Sequence, residues 1–162
     1  SGKNMLGLLY KVGYGVPQNY QKAFDLFKEA ANEKEPIALN NVGICYLNGD
    51  GVKKDSIEGL VFLEKSALQG LPTAQYMLGF LYYNGGKTVQ KDVSKAMQWY
   101  TLASNQGMPI AQYELSKIYY HGENGEVTPD YNKAKNLCEK AAEQGLPEAK
   151  WALENKFNSK KD

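Results

Sequence analysis

Apolar residues in this chain recur at helical spacing, in blocks parted by short phrases of glycine and proline. In one kind of block Ala96, Trp99, Tyr100 and Ala103 stand at i, i+3, i+4 and i+7, and Ala134, Leu137, Cys138 and Ala141 repeat the arrangement. The positions between are mostly polar, so each block predicts an amphipathic helix with one buried stripe. This block occurs four times, at residues 22–31, 58–67, 95–104 and 133–142. A second kind precedes it: Val42-Gly43-Ile44-Cys45-Tyr46-Leu47-Asn48-Gly49, Leu78-Gly79-Phe80-Leu81-Tyr82-Tyr83-Asn84-Gly85 and Leu115-Ser116-Lys117-Ile118-Tyr119-Tyr120-His121-Gly122. A shortened copy, Leu6 to Gly13, opens the chain.

The phrases between blocks repeat as well. Gln69-Gly70-Leu71-Pro72, Gln106-Gly107-Met108-Pro109 and Gln144-Gly145-Leu146-Pro147 follow a degenerate Glu33-Lys34-Glu35-Pro36, with prolines 36, 37 and 38 residues apart. A period of that size signals stacked supersecondary units. Glycine supplies the left-handed residue past a helix end, and proline suits the first turn of the next helix. The turn inside each unit is glycine-rich, and Asp55, Asp92 and Asp130 fall just before or within the first turn of the second helix, where a carboxylate meets unpaired amide groups.

The pattern Ala-x-Tyr-x-Leu-Gly-x-x-Tyr-x-x-Gly, a Gly-Val turn, Asp, then Lys-Ala-x-x-Trp-Tyr-x-x-Ala and Gln-Gly-x-Pro resembles the Sel1-like repeat, a relative of the tetratricopeptide repeat. The match is fullest over residues 73–109 and extends over 37–72 and 110–147. The resemblance implies an all-α fold, a right-handed α-solenoid of antiparallel helix pairs acting as a scaffold or adaptor. It divides a single domain, 1–157, into a truncated repeat 1–36, repeats 37–72, 73–109 and 110–147, and a capping half-repeat 148–157, with a frayed polar tail at 158–162. Ser116 stands where the family has Gly and Gly59 where it has Ala, and the third and fourth copies carry one and two extra residues in their turns. These departures are expected to loosen local packing or lengthen loops.

Helical projection then sorts the first helices. With Ala38, Ala74, Ala111 and Ala149 as position 2, positions 2, 3, 6, 7, 9 and 10 cover one side of a helix advancing about 100° per residue. The other side, which lines the concave groove of a tetratricopeptide-like stack, carries Asn40, Ile44, Leu47 and Asn48, then Tyr76, Phe80, Tyr83 and Asn84, then Tyr113, Lys117, Tyr120 and His121, and finally Trp151 and Asn155. A face that should be solvated is instead aromatic. Such rings with flanking amides are what recognition surfaces use, and an extended peptide or partner helix is the expected ligand. Rings filling space between neighbouring helices is the plainer reading, and Tyr76 and Tyr113 match a family-typical Tyr.

Composition narrows the partner. Of 162 residues 43% are hydrophobic and 23% charged, and the net charge of +1 rests on 19 basic residues, all Lys. Without arginine there is no guanidinium fork for phosphate or base edges, and near-neutrality gives no bulk attraction to a polyanion, so nucleic acid is not expected. No apolar run approaches the ~20 residues of a membrane helix. The opening Ser1-Gly2, partway into a first helix with no signal peptide ahead, reads as a boundary within a longer protein. Cys45 and Cys138 lie most of two repeats apart and are expected as reduced, buried thiols. Disulfide-stapled secreted relatives pair cysteines within each repeat; that pattern is absent, and both a cytoplasmic and a periplasmic or secreted location stay open.

Catalytic chemistry is not expected, nor is any cofactor or metal. His121, the single histidine, has no second His, paired Cys or spaced carboxylates to complete a metal site. Ser-x-x-Lys, Ser-Asp-Asn and Lys-Thr-Gly signatures do not occur, and Asn84-Gly85-Gly86-Lys87-Thr88 lacks the spacing of a phosphate loop. The sequence therefore points to a protein-binding scaffold. Neutralisation of a toxin or effector is the alternative, and a glycan-binding module or enzyme comes third.

Overall fold

Helices form where the two kinds of block stand: α1 (Gly2–Val12), α2 (Tyr20–Ala31), α3 (Pro36–Asn48), α4 (Ser56–Leu68), α5 (Pro72–Asn84), α6 (Val93–Asn105), α7 (Pro109–His121), α8 (Tyr131–Glu143) and α9 (Pro147–Ala152). The computed structural model describes residues 1–158, and the expected frayed tail lies outside them from residue 159 onward. A π-helical turn, Leu153–Phe157, follows α9. Among the described residues there is no strand, only an isolated antiparallel bridge between Glu123 and Val127. The fold class is all-α, a helical repeat solenoid.

Every second helix is started the same way. Asn19, Asp55, Asp92 and Asp130 are the N-caps of α2, α4, α6 and α8, and their side-chain oxygens accept from the amides of Lys22, of Ile57 and Glu58, of Lys95 and of Lys133. Each such cap stabilises its helix by about 1 kcal/mol. The backbone amides of the same four residues donate to the carbonyls of Tyr10, Tyr46, Tyr82 and Tyr119 at 2.9, 2.9, 2.8 and 2.7 Å, so one bond fixes the turn within every repeat. Between repeats, Gly70, Gly107 and Gly145 adopt φ of 88°, 85° and 93°. The equivalent residue of the degenerate phrase is Lys34, at φ 58°. A side chain in this left-handed region costs about 1–2 kcal/mol.

The chain divides into two compact units, Ser1–Leu78 and a second from Gly79. The first holds α1–α4 and the start of α5, around a core that includes Ala23, Phe27, Ala30, Ala38, Val42 and Cys45. Polar side chains stitch its helices: Asn41 Nδ2 donates to Asn4 Oδ1 at 2.9 Å, Ser66 Oγ to the Pro36 carbonyl at 2.7 Å and Gln75 Nε2 to the Ala67 carbonyl at 3.2 Å. The second unit holds the rest of α5 and α6–α9, with Ala134, Cys138, Ala141, Ala149, Ala152 and Phe157 at its core. There Gln112 Nε2 donates to the Ser104 carbonyl at 3.4 Å.

Within each repeat the two helices meet at a seam of complementary volume. A methyl at Gly7 would lie 2.6 Å from Phe27, at Gly43 2.9 Å from Leu63, and at Gly79 2.5 Å from Tyr100. The larger partner is fully buried each time. In the fourth repeat the pair is Ser116 and Cys138, both buried; Ser116 Oγ donates to the Ala134 carbonyl at 2.7 Å, and Cys138 Sγ to the Ala149 carbonyl at 3.3 Å. The small thiol leaves room for the hydroxymethyl, so this departure is absorbed rather than loosening the seam. Gly59 corrects the sequence expectation more sharply. A methyl there would sit 2.9 Å from both the Gly43 carbonyl and Leu47, so the glycine marks closer approach of α3 and α4. The extra turn residues do lengthen the α5–α6 and α7–α8 connections.

Candidate partner-binding surface

The first-helix face is least available in the first unit. Asn40, expected to face solvent, is only 7% exposed and is corrected to a buried residue. The Asn41–Asn4 bond brings α1 alongside α3, a neighbour that projection of a single helix leaves out. Leu47 is half-buried and packs on Gly59 of α4, which also removes it from the freely offered face. Ile44 and Tyr76 are half-buried. Asn48 is exposed and donates to Asp50 at 3.3 Å.

The second unit offers more. Phe80, at the middle of α5, is 46% exposed, and Trp151 of α9 is 57% exposed. Asn84 and Asn155 each donate to the carbonyl four residues earlier, Phe80 and Trp151 respectively, at 2.8 Å. Tyr113 is half-buried beneath the ammonium of Lys117, 5.2 Å from its ring centre, and Lys117 also pairs with Glu114 at 2.8 Å. Burial pushes the Tyr113 phenol up from its ordinary range.

Tyr120 is corrected from a partner-facing ring to a packing residue. It meets Phe157 edge-on at 5.2 Å and lies 6.2 Å from Tyr131, whose hydroxyl donates to the Phe157 carbonyl at 2.8 Å. The space beside it, reaching Tyr113, Lys117 and Phe157, measures only about 10 Å³, too small for a side chain. The π-helical turn carries Phe157 into this cluster, against Tyr120 of α7 and Tyr131 of α8. His121 is exposed at the end of α7 and lies edge-on to Tyr120, 4.9 Å between ring centres.

Tyr83 has a partner that sequence reasoning did not name. Its hydroxyl donates to Glu123 Oε1 at 2.5 Å, and Lys91 pairs with the other oxygen at 3.5 Å while lying 5.1 Å from the Tyr83 ring centre. Burial first, and then this bond, push the Tyr83 phenol up to about 12, while the bond holds the Glu123 carboxyl below its ordinary range. Glu123 is aimed by a miniature hairpin. Asn124 and Gly125 both have positive φ, Glu126 donates from its amide to the Glu123 carbonyl at 2.7 Å, and the Glu123–Val127 bridge closes the turn. The Asn124-Gly125 dipeptide was the available signal, because that pair favours a turn with two left-handed residues.

A cavity of about 680 Å³ in the second unit lies elsewhere, between α6 and the α7–α8 connection, lined by Met97, Thr101, Leu102, Tyr119 and Val127 among others. Among the described residues no His, Cys, Asp and Glu gather as metal ligands, and no helix is long and apolar enough to cross a membrane. Both cysteines are free and buried. Burial pushes the Cys45 thiol up to about 11 and raises that of Cys138, so both are protonated at neutral pH and are poor nucleophiles.

This arrangement of capped helix pairs has known relatives. The Sel1 repeat profile matches residues 1–34, 36–71, 72–108 and 109–146. The chain is 53% identical over 53 residues to the ERAD-associated E3 ubiquitin-protein ligase component HRD3B of Arabidopsis thaliana, a stretch that is 32% of this chain and 9% of that protein. It superimposes on the crystal structure of a Sel1 repeat protein from Oxalobacter formigenes with a TM-score of 0.87 and 33% identity, covering 93% of this chain and 60% of that one. With the immunity protein Pa5087 from Pseudomonas aeruginosa the TM-score is 0.66 and the identity 32%, over 93% of this chain and 55% of that one. The chain thus spans a tenth or less of the plant relative and a little over half of each solved structure. Sel1 repeat proteins generally act through protein–protein interaction, without catalysis of their own. Four consecutive repeat matches, covering nearly the whole chain, place it in the Sel1 repeat family.

Proposed function

We propose that this chain is a non-enzymatic scaffold or adaptor module that holds a protein or peptide partner, and that in the second unit the first-helix face makes the contact. The observation that carries this reading is the exposure of Phe80 and Trp151, two large rings whose helical positions belong to that face and which fill no core. Large, stiff side chains with one polar edge dominate the energetics of protein interfaces. Tyr83, Tyr113, Lys117 and His121 supply polar edges on the same helices, while Tyr120 packs against Phe157 and Tyr131. The contribution of Asn40, Ile44, Leu47, Asn48 and Tyr76 in the first unit is smaller, because most of them are covered.

The test compares capture of a partner by the wild-type chain, by Phe80→Ala/Trp151→Ala, and by Leu102→Ala, which removes an exposed side chain of α6. A partner kept by wild type and Leu102→Ala and lost by the equally helical double variant supports the reading. Retention by the double variant, or saccharide binding in place of protein binding, overturns it.

A second reading, neutralisation of a toxin or effector, is favoured by the likeness to the immunity protein. It requires a one-to-one complex that silences the partner's activity, which titration of the purified pair measures.

A further inference from the structure

A groove of about 540 Å³ in the first unit has the opposite character from the aromatic face. It lies where the end of α2 and the turn after it meet α3 and α4. Leu39, Phe62 and Leu68 form its floor and wall, with Lys34, Lys65 and Asn32 at its rim, and none of its lining side chains is a carboxylate. Leu68 is 77% exposed, a large apolar side chain with little cover. Two ammonium groups already gather at the aromatic floor: Lys65 Nζ is 5.3 Å and Lys28 Nζ 5.6 Å from the Phe62 ring centre.

The rim lysine is there at a conformational cost. Lys34 occupies the left-handed position that the three later turns fill with Gly70, Gly107 and Gly145. Glycine meets no steric penalty there, so a lysine held in this geometry destabilises the turn while adding a cation beside the groove. Residues kept in such a conformation concentrate at ligand-binding positions.

We propose that this groove binds an acidic segment of a partner protein, with an apolar side chain of the segment against Phe62 and Leu68 and flanking carboxylates on Lys34 and Lys65. The chemistry selects this occupant. The chain's net charge of +1 gives no general attraction to anions, so the cationic rim is a local feature. A free inorganic anion would leave the apolar floor unused, and the absence of arginine removes the fork that suits phosphate. An extended peptide satisfies both halves, with Asn32 offering donor and acceptor to its backbone. The site belongs to another unit than Phe80 and Trp151 and does not depend on the aromatic face.

Fluorescence anisotropy on the full chain tests it, with a panel of short labelled peptides, each carrying one Leu, Ile, Phe or Trp between Asp and Glu residues, and a matched panel with Gln for every acid. At least one acidic peptide is expected to bind while its Gln counterpart does not, with affinity falling as salt rises. Lys34→Gly is expected to weaken binding about threefold while raising Tm by a few degrees, since it removes a charge and relieves the turn. Lys34→Glu with Lys65→Glu is expected to weaken it more than about tenfold. Phe80→Ala/Trp151→Ala is expected to leave it unchanged, which separates failure of this site from failure of the aromatic face. Absence of binding across the acidic panel, equal binding of the Gln panel, or indifference to both lysine variants overturns the proposal. So does sedimentation with phosphatidylserine vesicles without peptide binding, which assigns the cations to a lipid surface.

Discussion

The seam of α5 with α6 and the seam of α7 with α8 follow one plan with different fillings. In the former, Gly79 admits the fully buried ring of Tyr100; in the latter, Ser116 faces the small thiol of Cys138. The turn bonds and caps are the same in both, and at each seam the bulk of one side chain limits the bulk of its opposite. Neither member is free to change alone. Outside, the same two helices are unconstrained: the position that is Phe80 in α5 is Lys117 in α7. Packing limits the side chains where helices touch, and chemistry varies where they do not.

Breaking the pair gives the largest expected effect. Gly79→Ser is expected to lose about 3 kcal/mol of stability in urea titration, because a side chain there overlaps Tyr100, and Cys138→Tyr should lose as much against Ser116. Combining Cys138→Tyr with Ser116→Gly recreates the α5–α6 filling and should recover more than about 1 kcal/mol of that loss. Additive losses would show that the seams are not interchangeable.

On the outside the sign of the comparison reverses. Phe80→Ala/Trp151→Ala should cost about 2 kcal/mol or more in partner affinity, read by calorimetry. Folding stability should change by less than about 0.5 kcal/mol per site.

A smaller effect separates the two connections. Tyr83→Phe removes the bond to Glu123 and should cost about 1 kcal/mol at pH 7. Because Glu123 titrates below its ordinary range in the fold, its contribution is complete above the usual carboxylate range and disappears as pH falls through the lowered value. Wild type and Tyr83→Phe should therefore converge in stability in acid. The raised Tyr83 phenol gives a second limit: the stability it adds is intact below about pH 10 and lost as pH rises toward about 12. Denaturation at several pH values reads both.

The smallest effect concerns the cations over the turn tyrosines. Lys133 Nζ lies 4.3 Å from the Tyr119 ring centre and Lys95 Nζ 5.2 Å from that of Tyr82. Lys133→Gln should cost about 0.5–1 kcal/mol and Lys95→Gln less, by thermal melting.

Most of the fold was legible because it rests on local rules. Asp55, Asp92 and Asp130 announce the second helices, the Gly-x-Pro phrases end one repeat and start the next, and apolar spacing assigns the buried stripes. The candidate surface was legible only in outline. Projection places Phe80, Tyr120 and Trp151 on one face, yet Phe80 and Trp151 stay open while Phe157, arriving from the π-helical turn, covers Tyr120. Asn40 and Leu47 were misplaced for the same reason: burial depends on the neighbouring helix, which a single-helix projection does not contain. Nothing local ties Glu123 to Tyr83, forty residues away, and Lys34 reads in sequence only as a departure from a repeated phrase.

By itself, then, the sequence determined the repeat, its helices, their caps and the family, because each depends on residues within a few turns of one another. Tertiary structure alone decided which aromatic rings are packed and which are offered, that Glu123 reaches Tyr83, that Ser116 fits because Cys138 is small, and that Lys34 borders an apolar groove. Those outcomes depend on volumes and charges contributed by segments distant along the chain, and spacing in one segment carries no information about what another brings against it.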